Sequence, residues 1–513
     1  MKVYKNFTQT RAYDSLKEIY RKPLPHLKNL STENDFIQTG RYIFDYSKTH
    51  FSLARKVWPR LLDELEFDEQ RNALFSGSKL NITENRPALH TALRLPEHSL
   101  QFPDNDIKEY VLETRNSILK FTDEFRSGRI KGITGKPLNT VVNIGIGGSH
   151  LGPQLIVHAL KNKETPRHFF LSNIDDEHWD EVMQQVDLET TLFVLVSKSF
   201  STKETLSNAQ HVKQLIQEKF GKNAIGKHFI AVTSNLRSAM DFGIPVNRIF
   251  EMRDWIGGRY SLWSVAGISI PLILGKEAYL SLLSGASQAD IHFKEKPVLQ
   301  NIPVIMALLT LIYNNLAGYK TEAHVPYAES LRYLPFYLQQ LAMESNGKSV
   351  QRNGHKVHYS TGHIVWGGTG TNAQHSFFQL LHQGTEIAPV YFTGYVQSKT
   401  KLKKNRITLL ANLLAQSDAL AFGAQSDNPL NNFEGNRPSV TFVFDELSPE
   451  NLGFLLAVFE HKIFTESILW NINAFDQPGV ELGKKLAENY EHLLNENTSS
   501  VPNAIFDFIK NKL

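Results

Sequence analysis

The chain has 513 residues and not one cysteine. That absence excludes disulfides, thiolate nucleophiles, cysteine-ligated zinc and iron–sulfur clusters, and it fits a reducing compartment. Charge of one sign is missing as well, because 55 Lys and Arg face 52 Asp and Glu for a net charge of +3. Such a balance creates no basic field that would draw nucleic acid to the surface. Long apolar runs are absent too. The longest uncharged stretch, 297–319, is interrupted by Gln300, Asn301, Pro303, Asn314 and Asn315, so only Val304 to Tyr313 is strongly apolar. Ten such residues are too few to span a bilayer, and a buried core helix is expected there. The segment Met1 to Thr8 lacks the apolar core of a signal peptide. The expectation is a cytoplasmic protein with neither membrane nor nucleic acid as partner.

What is present reads as soluble and globular, with 41% apolar and 21% charged residues. The length exceeds one ordinary core, so two or more domains are expected. Residues 10–75 read as helical, from apolar spacings of three and four at Leu16, Ile19 and Tyr20 and later Phe44, Tyr46, Phe51 and Leu53. From about residue 138 short β-branched runs take over: 140–144, 167–171, 191–196, 228–232 and 248–251. Amphipathic stretches such as 154–160 and 204–220 separate them. A second series places strands at 325–327, 364–366, 390–392 and 440–444, with helices at 306–314, 374–382, 402–416 and 451–470. Strands alternating with helices predict right-handed βαβ units and parallel sheets. The residues from Val480 onward read as helical and charged, and 495–503 as a loop.

Six segments carry groups capable of chemistry. In Met343-Glu344-Ser345-Asn346-Gly347-Lys348, Glu344 follows the apolar run Tyr333 to Leu338. A lone carboxylate there is a candidate general base that moves a proton between adjacent carbons without a cofactor. On its own, such a Glu is more often a solvated or salt-bridged structural residue. Gly145-Ile146-Gly147-Gly148-Ser149-His150-Leu151-Gly152 follows the first β-branched run, where glycines let backbone amides approach an anion. His150 occupies the third-glycine position of a dinucleotide loop and no Walker lysine follows, so a small ligand fits better than NAD or ATP; a tight turn with no ligand is the alternative. Ser197-Lys198-Ser199-Phe200-Ser201-Thr202 puts four hydroxyls and an ammonium before a helix, a phosphate-site candidate, although Thr202 would also serve as a plain N-cap.

Gly257-Gly258-Arg259 presents a guanidinium able to hold a developing enediolate oxygen without giving it a proton. Gly370 to His375 opens a stretch read as one helix, with His375 and His382 on a common face. Lys484, after Asp476-Gln477-Pro478-Gly479, is able to orient or protonate a sugar oxygen; alone it reads as a solvated helix lysine. His355, His358 and His363 have no interleaved carboxylate and scatter over two strand faces, so no metal site is assigned to them.

Six segments together resemble the phosphoglucose isomerase family of the sugar-isomerase (SIS) superfamily: NIGIGGSHLGP at 143–153, SKSFSTKET at 197–205, GGRYSLWS at 257–264, MESNGK at 343–348, GTNAQHSFFQLLHQG at 370–384 and FDQPGVELGK at 475–484. The resemblance spans most of the chain, with the segments in the family's order. It implies an α/β fold of two doubly wound parallel-sheet (SIS-type) domains flanked by helices, with helical N-terminal and C-terminal extensions. The corresponding division is an N-terminal segment 1–105 packing on the larger domain, a smaller domain 106–280, a larger domain 281–484 and a tail 485–513.

The resemblance also implies reversible isomerisation of glucose 6-phosphate and fructose 6-phosphate in glycolysis and gluconeogenesis, with no cofactor or metal. Glu344 matches the family's base between C1 and C2, Arg259 the residue that stabilises the cis-enediol(ate), and His375 and Lys484 the residues that assist ring opening. Gln340 and Gln477 match substrate-contacting glutamines, Ser197 through Thr202 the phosphate loop, and Gly148-Ser149 a second substrate loop. His375 would reach the site from a partner subunit, which implies a homodimer. Two positions depart from the family pattern: His150 where Asp is frequent, and Pro478 where Trp is common. A non-catalytic sugar-phosphate sensor of the same fold, and an isomerase that also accepts mannose 6-phosphate, stand as alternatives.

Overall fold

The computed structural model describes Lys2, 4–398, 400–495 and 503–513. Its N-terminal part departs from the helical expectation. Tyr42, Phe44 and Tyr46 alternate with the less buried Ile43 and Asp45, a period of two that belongs to a strand. Strand β1 (Phe36–Gln38) pairs antiparallel with β2 (Tyr42–Asp45). Helices Arg11–Ile19, Trp58–Glu64 and Phe67–Phe75 flank this hairpin.

The first sheet comprises β3 (Thr140–Ile144), β4 (Arg167–Leu171), β5 (Thr191–Val196), β6 (Phe229–Thr233) and β7 (Ile249–Glu251). All neighbours are parallel, in the order β4-β3-β5-β6-β7. Every residue of β3, β5 and β6 is buried, which is why these strands read as continuous apolar runs: helices cover both faces of the sheet. The chain leaves β3 toward one side of the sheet and β5 lies on the other. The crevice at this switch point lies beyond the carboxyl ends of β3 and β5, where ligands bind in open α/β sheets.

The second sheet contains β8 (Thr321–Pro326), β9 (Ile364–Gly367), β10 (Val390–Gln397) and β11 (Ser439–Glu446). These four strands are mutually parallel, and the hairpin extends the edge with β2 antiparallel to β11, Phe444 opposite Tyr42. The second sheet is therefore mixed, its parallel part as expected.

Behind the second sheet runs helix Pro449–Trp470, buried from Asn451 to Trp470, against helix Lys276–Glu295. Its charges are paired. Glu460 accepts from Arg94 at 2.5 Å and from the Trp263 indole at 2.7 Å, and Arg94 also grips Asp290. Lys462 donates to Glu322 at 2.9 Å and lies 3.1 Å from Glu466. Glu466 in turn accepts from Asn346 Nδ2 at 2.9 Å. Buried charges persist only when each is matched, and this chain of pairs ends two residues from Glu344.

The apolar stretch expected to be a core helix is helix Ile302–Thr310, extended by a π-helical turn Leu311–Leu316, with every residue from Ile302 to Asn314 buried. Among the described residues no helix is long and apolar enough to cross a membrane. The stretch 374–382 is not one helix. Helix Gly370–Gln374 stops at His375, and a second helix, Phe378–Gln383, begins after Phe377, whose ring wedges edge-on against Trp366 at 4.7 Å. The break removes the shared face expected for His375 and His382. Helices Glu481–Asn495 and Ala504–Lys510 form the tail, and 496–502, within the expected loop, lie outside the described residues.

Candidate active site

The loop after β3 enters the site first. Gly147 has φ +58, a left-handed conformation that costs glycine nothing. A methyl group on Gly147 would stand 2.9 Å from the Gln340 amide nitrogen, and one on Gly148 would fall on the Gly258 carbonyl oxygen. The two glycines thus allow the loop to lie against Gln340 on one side and the Gly257–Arg259 turn on the other. Ser149 closes the turn, its carbonyl accepting from Asn143 Nδ2 at 3.1 Å. His150 follows with its ring edge-on to Phe170; burial, then the nearby His178, pushes its pKa down to about 4, so it is neutral near pH 7.

The loop after β5 carries the hydroxyl cluster. Phe200 has φ +51 and its ring packs into the core against Phe242, while Ser199 and Ser201 are exposed, Thr202 is half-buried and Ser197 is buried. Ser197 Oγ donates to Thr202 Oγ1 at 3.1 Å, and the Ser199 and Ser201 hydroxyls are 2.6 Å apart. Thr202 is the N-cap of helix Lys203–Phe220, yet its side chain makes no cap hydrogen bond. The orphan N–H groups of that helix terminus are therefore not consumed by a cap, and they suit a phosphate. Lys198 behaves differently from a free phosphate-binding ammonium. Its Nζ donates to the carbonyls of Asp254 at 2.7 Å and Ile256 at 2.9 Å, and burial, then Arg86, lowers its pKa. It pins the hydroxyl loop to the segment that leads into Gly257. A cavity of ≈ 340 Å³ opens there, lined among others by Lys198, Gly257, Gly258 and Gln477.

Glu344 ends a π-helical turn, Gln340–Glu344, that continues helix Leu334–Gln339. Such wide turns recur at functional sites. The carboxylate Oε2 is 3.5 Å from Arg259 Nη1 and is buried without a hydrogen-bond partner. The Arg259 guanidinium is itself fully held. Nε donates to Ser345 Oγ at 2.6 Å, Nη1 to Gln477 Oε1 at 3.0 Å, and Nη2 to the carbonyls of Ala474 at 2.6 Å and Asp476 at 3.1 Å. The result is a fixed cation beside an unengaged base.

Lys348 completes the frame. Its ammonium donates to the carbonyls of Glu344 at 3.0 Å, Ser345 at 2.7 Å and Asp476 at 3.0 Å, with the Asp476 carboxylate 3.3 Å away. Burial, then the charge of Arg259, pushes its pKa down to about 8. Lys348 and Arg259 share the Asp476 carbonyl, so the Glu344 turn and the 474–477 segment are tied at one point. Sequence reasoning assigns no role to Lys348 or Ser345. The available signal is an ammonium one helical turn after the carboxylate.

The phosphoglucose isomerase family profile matches residues 45–507. The chain belongs to the phosphoglucose isomerase family. It is 44% identical over 470 residues to "Glucose-6-phosphate isomerase 1" of Chromohalobacter salexigens, covering 90% of this chain and 85% of that one. It is 42% identical over 511 residues to the glucose-6-phosphate isomerase of Christiangramia forsetii, covering 94% of each. The crystal structure of a glucose-6-phosphate isomerase from Chlamydia trachomatis superposes with a TM-score of 0.87 at 34% identity over 99% of both chains.

Two expected residues stand apart from this constellation. His375 is exposed where helix Gly370–Gln374 ends. Lys484 lies on helix Glu481–Asn495, which has no buried residue; its side chain is 64% exposed and pairs with Glu481 at 2.8 Å. Among the described residues neither bonds to Glu344, Arg259 or Gln477. Pro478 starts the short turn before this helix, whose Glu491 pairs with Lys203 beside the hydroxyl loop.

The Gly148 contact makes a prediction for this family member. Gly148→Ala must push the Ser149 loop away from Arg259. A displacement near 1 Å costs on the order of 10²-fold in rate, so kcat/KM for fructose 6-phosphate should fall by about that factor, with thermal stability far less affected, as steady-state kinetics and a melting curve would show.

Proposed function

We propose that Glu344 shuttles a proton between C1 and C2 of an open-chain hexose 6-phosphate, interconverting glucose 6-phosphate and fructose 6-phosphate. The observation that carries this reading is the buried, unbonded Glu344 Oε2 at 3.5 Å from a guanidinium locked by four other acceptors. Enolisation needs one base and one fixed cation, and these suffice without a cofactor. The carboxylate removes the C2 proton of the aldose. Charge then builds on the oxygens of the cis-enediol(ate), where Arg259 stabilises it without surrendering a proton. Return of the proton to C1, with the hydroxyl proton passing from O2 to O1, gives the ketose.

The remaining roles are those that the family resemblance implies. Ser197, Ser199, Ser201 and Thr202, at the N-terminus of helix Lys203–Phe220, take the phosphate. Binding that remote group supplies the energy that positions the reacting carbons. Gly148-Ser149, Gln340 and Gln477 contact the sugar. Ring opening falls to Lys484, on the exposed helix following Gln477, and to His375, which a second copy of the chain presents across a dimer interface. A cytoplasmic homodimer in glycolysis and gluconeogenesis follows from the same reading.

A coupled assay following glucose 6-phosphate formed from fructose 6-phosphate tests the reaction. Turnover is expected, and it should be unchanged by EDTA. No product would refute the isomerase reading and favour a non-catalytic sugar-phosphate sensor; loss with EDTA would refute metal-free proton transfer. Subunit mixing tests the shared site. Glu344→Gln and His375→Ala proteins, each nearly inactive, are expected to regain activity when unfolded and refolded together, because the hybrid has one site with both residues intact. No recovery in demonstrated hybrids would place His375 in its own chain's site.

A further inference from the structure

A separate cavity of ≈ 490 Å³ lies among Tyr4, Asn72, Ser78, Lys79, Arg352 and Asn353. Its charges do not balance. Arg352, largely buried, donates through Nε to the Ile472 carbonyl at 3.0 Å and through Nη1 to Gln70 Oε1 at 2.6 Å. Both acceptors are neutral, and among the described residues no carboxylate pairs with this guanidinium. Its Nη2 donors have no acceptor among the described residues and are not sealed from solvent. Burial pushes its pKa down to about 10, against the raising influence of Tyr4. The one carboxylate on the wall, Glu69, is already engaged by Lys2 at 2.6 Å and by the Tyr4 hydroxyl at 3.0 Å. Lys79 is exposed and pairs with no acid among the described residues. Asn353 uses its carbonyl oxygen on the His355 N–H, leaving its amide donors for the cavity.

We propose that this cavity is a second anion site, distinct from the isomerase site, that takes a small phosphate monoester between Arg352 and Lys79. A largely buried guanidinium with only neutral partners is unfavourable, and an anion relieves that cost. The dianionic phosphoryl group matches the two free cations in charge and the guanidinium fork in geometry. Hydroxyl and amide donors of Ser78, Asn72 and Asn353 supply further hydrogen bonds to its oxygens. The ester's organic part meets the Tyr4 ring and the apolar side chains of Ala73, Leu80 and Ile82, which also line the space. This assignment stands on its own charges and does not depend on the roles given to Glu344 or Arg259.

Equilibrium dialysis of the intact protein against radiolabelled glycerol 3-phosphate tests it, because that monoester is too short to be isomerised. Two equivalents per wild-type chain are expected, one at the hydroxyl loop and one here. Lys79→Glu should weaken the second at least about tenfold, as expected for reversing one charge of a charge-assisted pair, with isomerase turnover unchanged. Arg352→Met should do the same. Should Arg352→Met fail to fold, the exposed Lys79 position decides alone. Loss of one equivalent in Lys79→Glu supports the proposal whatever the hydroxyl loop binds, and a stoichiometry that is the same in wild type and Lys79→Glu overturns it.

Discussion

Glu344→Gln is expected to lower kcat by about two to four orders of magnitude, the usual size of a general-base effect, while KM changes little. The amide keeps the shape of the carboxylate and loses only its basicity. Folding should be spared, because Oε2 makes no hydrogen bond that the substitution would break and the side chain is 25% exposed. The substrate's phosphate, at the site proposed for it in the hydroxyl loop, should still be held. A second readout separates proton transfer from any other defect. With fructose 6-phosphate deuterated at C1, wild-type enzyme should wash label into water during turnover, and the variant should lose this exchange by the same factor as kcat. Turnover near that of the wild type would remove Glu344 from the reaction. Exchange that survives when kcat falls would show that a different group is the base.

Much of this site is legible in the sequence because its parts are local. The loop after β3 and the hydroxyl loop after β5 each combine a fully buried strand with a turn and a helix start, and all three signals lie within a dozen or so residues. Gly147 and Gly148 announce a close approach by themselves, whereas the identity of the approaching groups, Gln340 and Gly258, is a tertiary fact that no local pattern carries. Hairpin β1–β2 is not legible in the same way. Its strands are three and four residues long, and the period-two signal of Tyr42, Phe44 and Tyr46 is diluted by helices on either side. Only pairing with β11, some 400 residues later in the chain, makes it a strand. Lys348 escapes notice for a related reason. A lysine in sequence is by default a solvated cation, and only the tertiary approach of Asp476 buries it. The same default applied to Lys484 agrees with its exposure in the isolated chain, so its proposed part in ring opening depends on movement or assembly that no local pattern encodes.

Arg259→Lys should lower kcat by about 10²- to 10³-fold, the effect of removing one preorganised donor from a developing oxyanion, and should leave KM nearly unchanged. The substitution keeps the positive charge, so a purely Coulombic view predicts little. The geometry says otherwise. Arg259 meets four acceptors in three directions and still lies beside Glu344. An ammonium has three donors on one point and cannot reproduce a planar fork. It would satisfy some of Ser345, Gln477, Ala474 and Asp476 and leave the enediolate without a fixed partner, or turn to the substrate and leave buried carbonyls unpaired. Each unpaired carbonyl costs about 1–3 kcal/mol, so a lowered melting temperature should accompany the kinetic loss. The split between kcat and KM identifies the role. In the proposed role, the enediolate charge beside Arg259 exists only once the C2 proton has left, so the interaction lies in the transition state and its loss appears in kcat. A raised KM with kcat intact would make Arg259 a ground-state substrate contact and would require another residue to stabilise the enediolate.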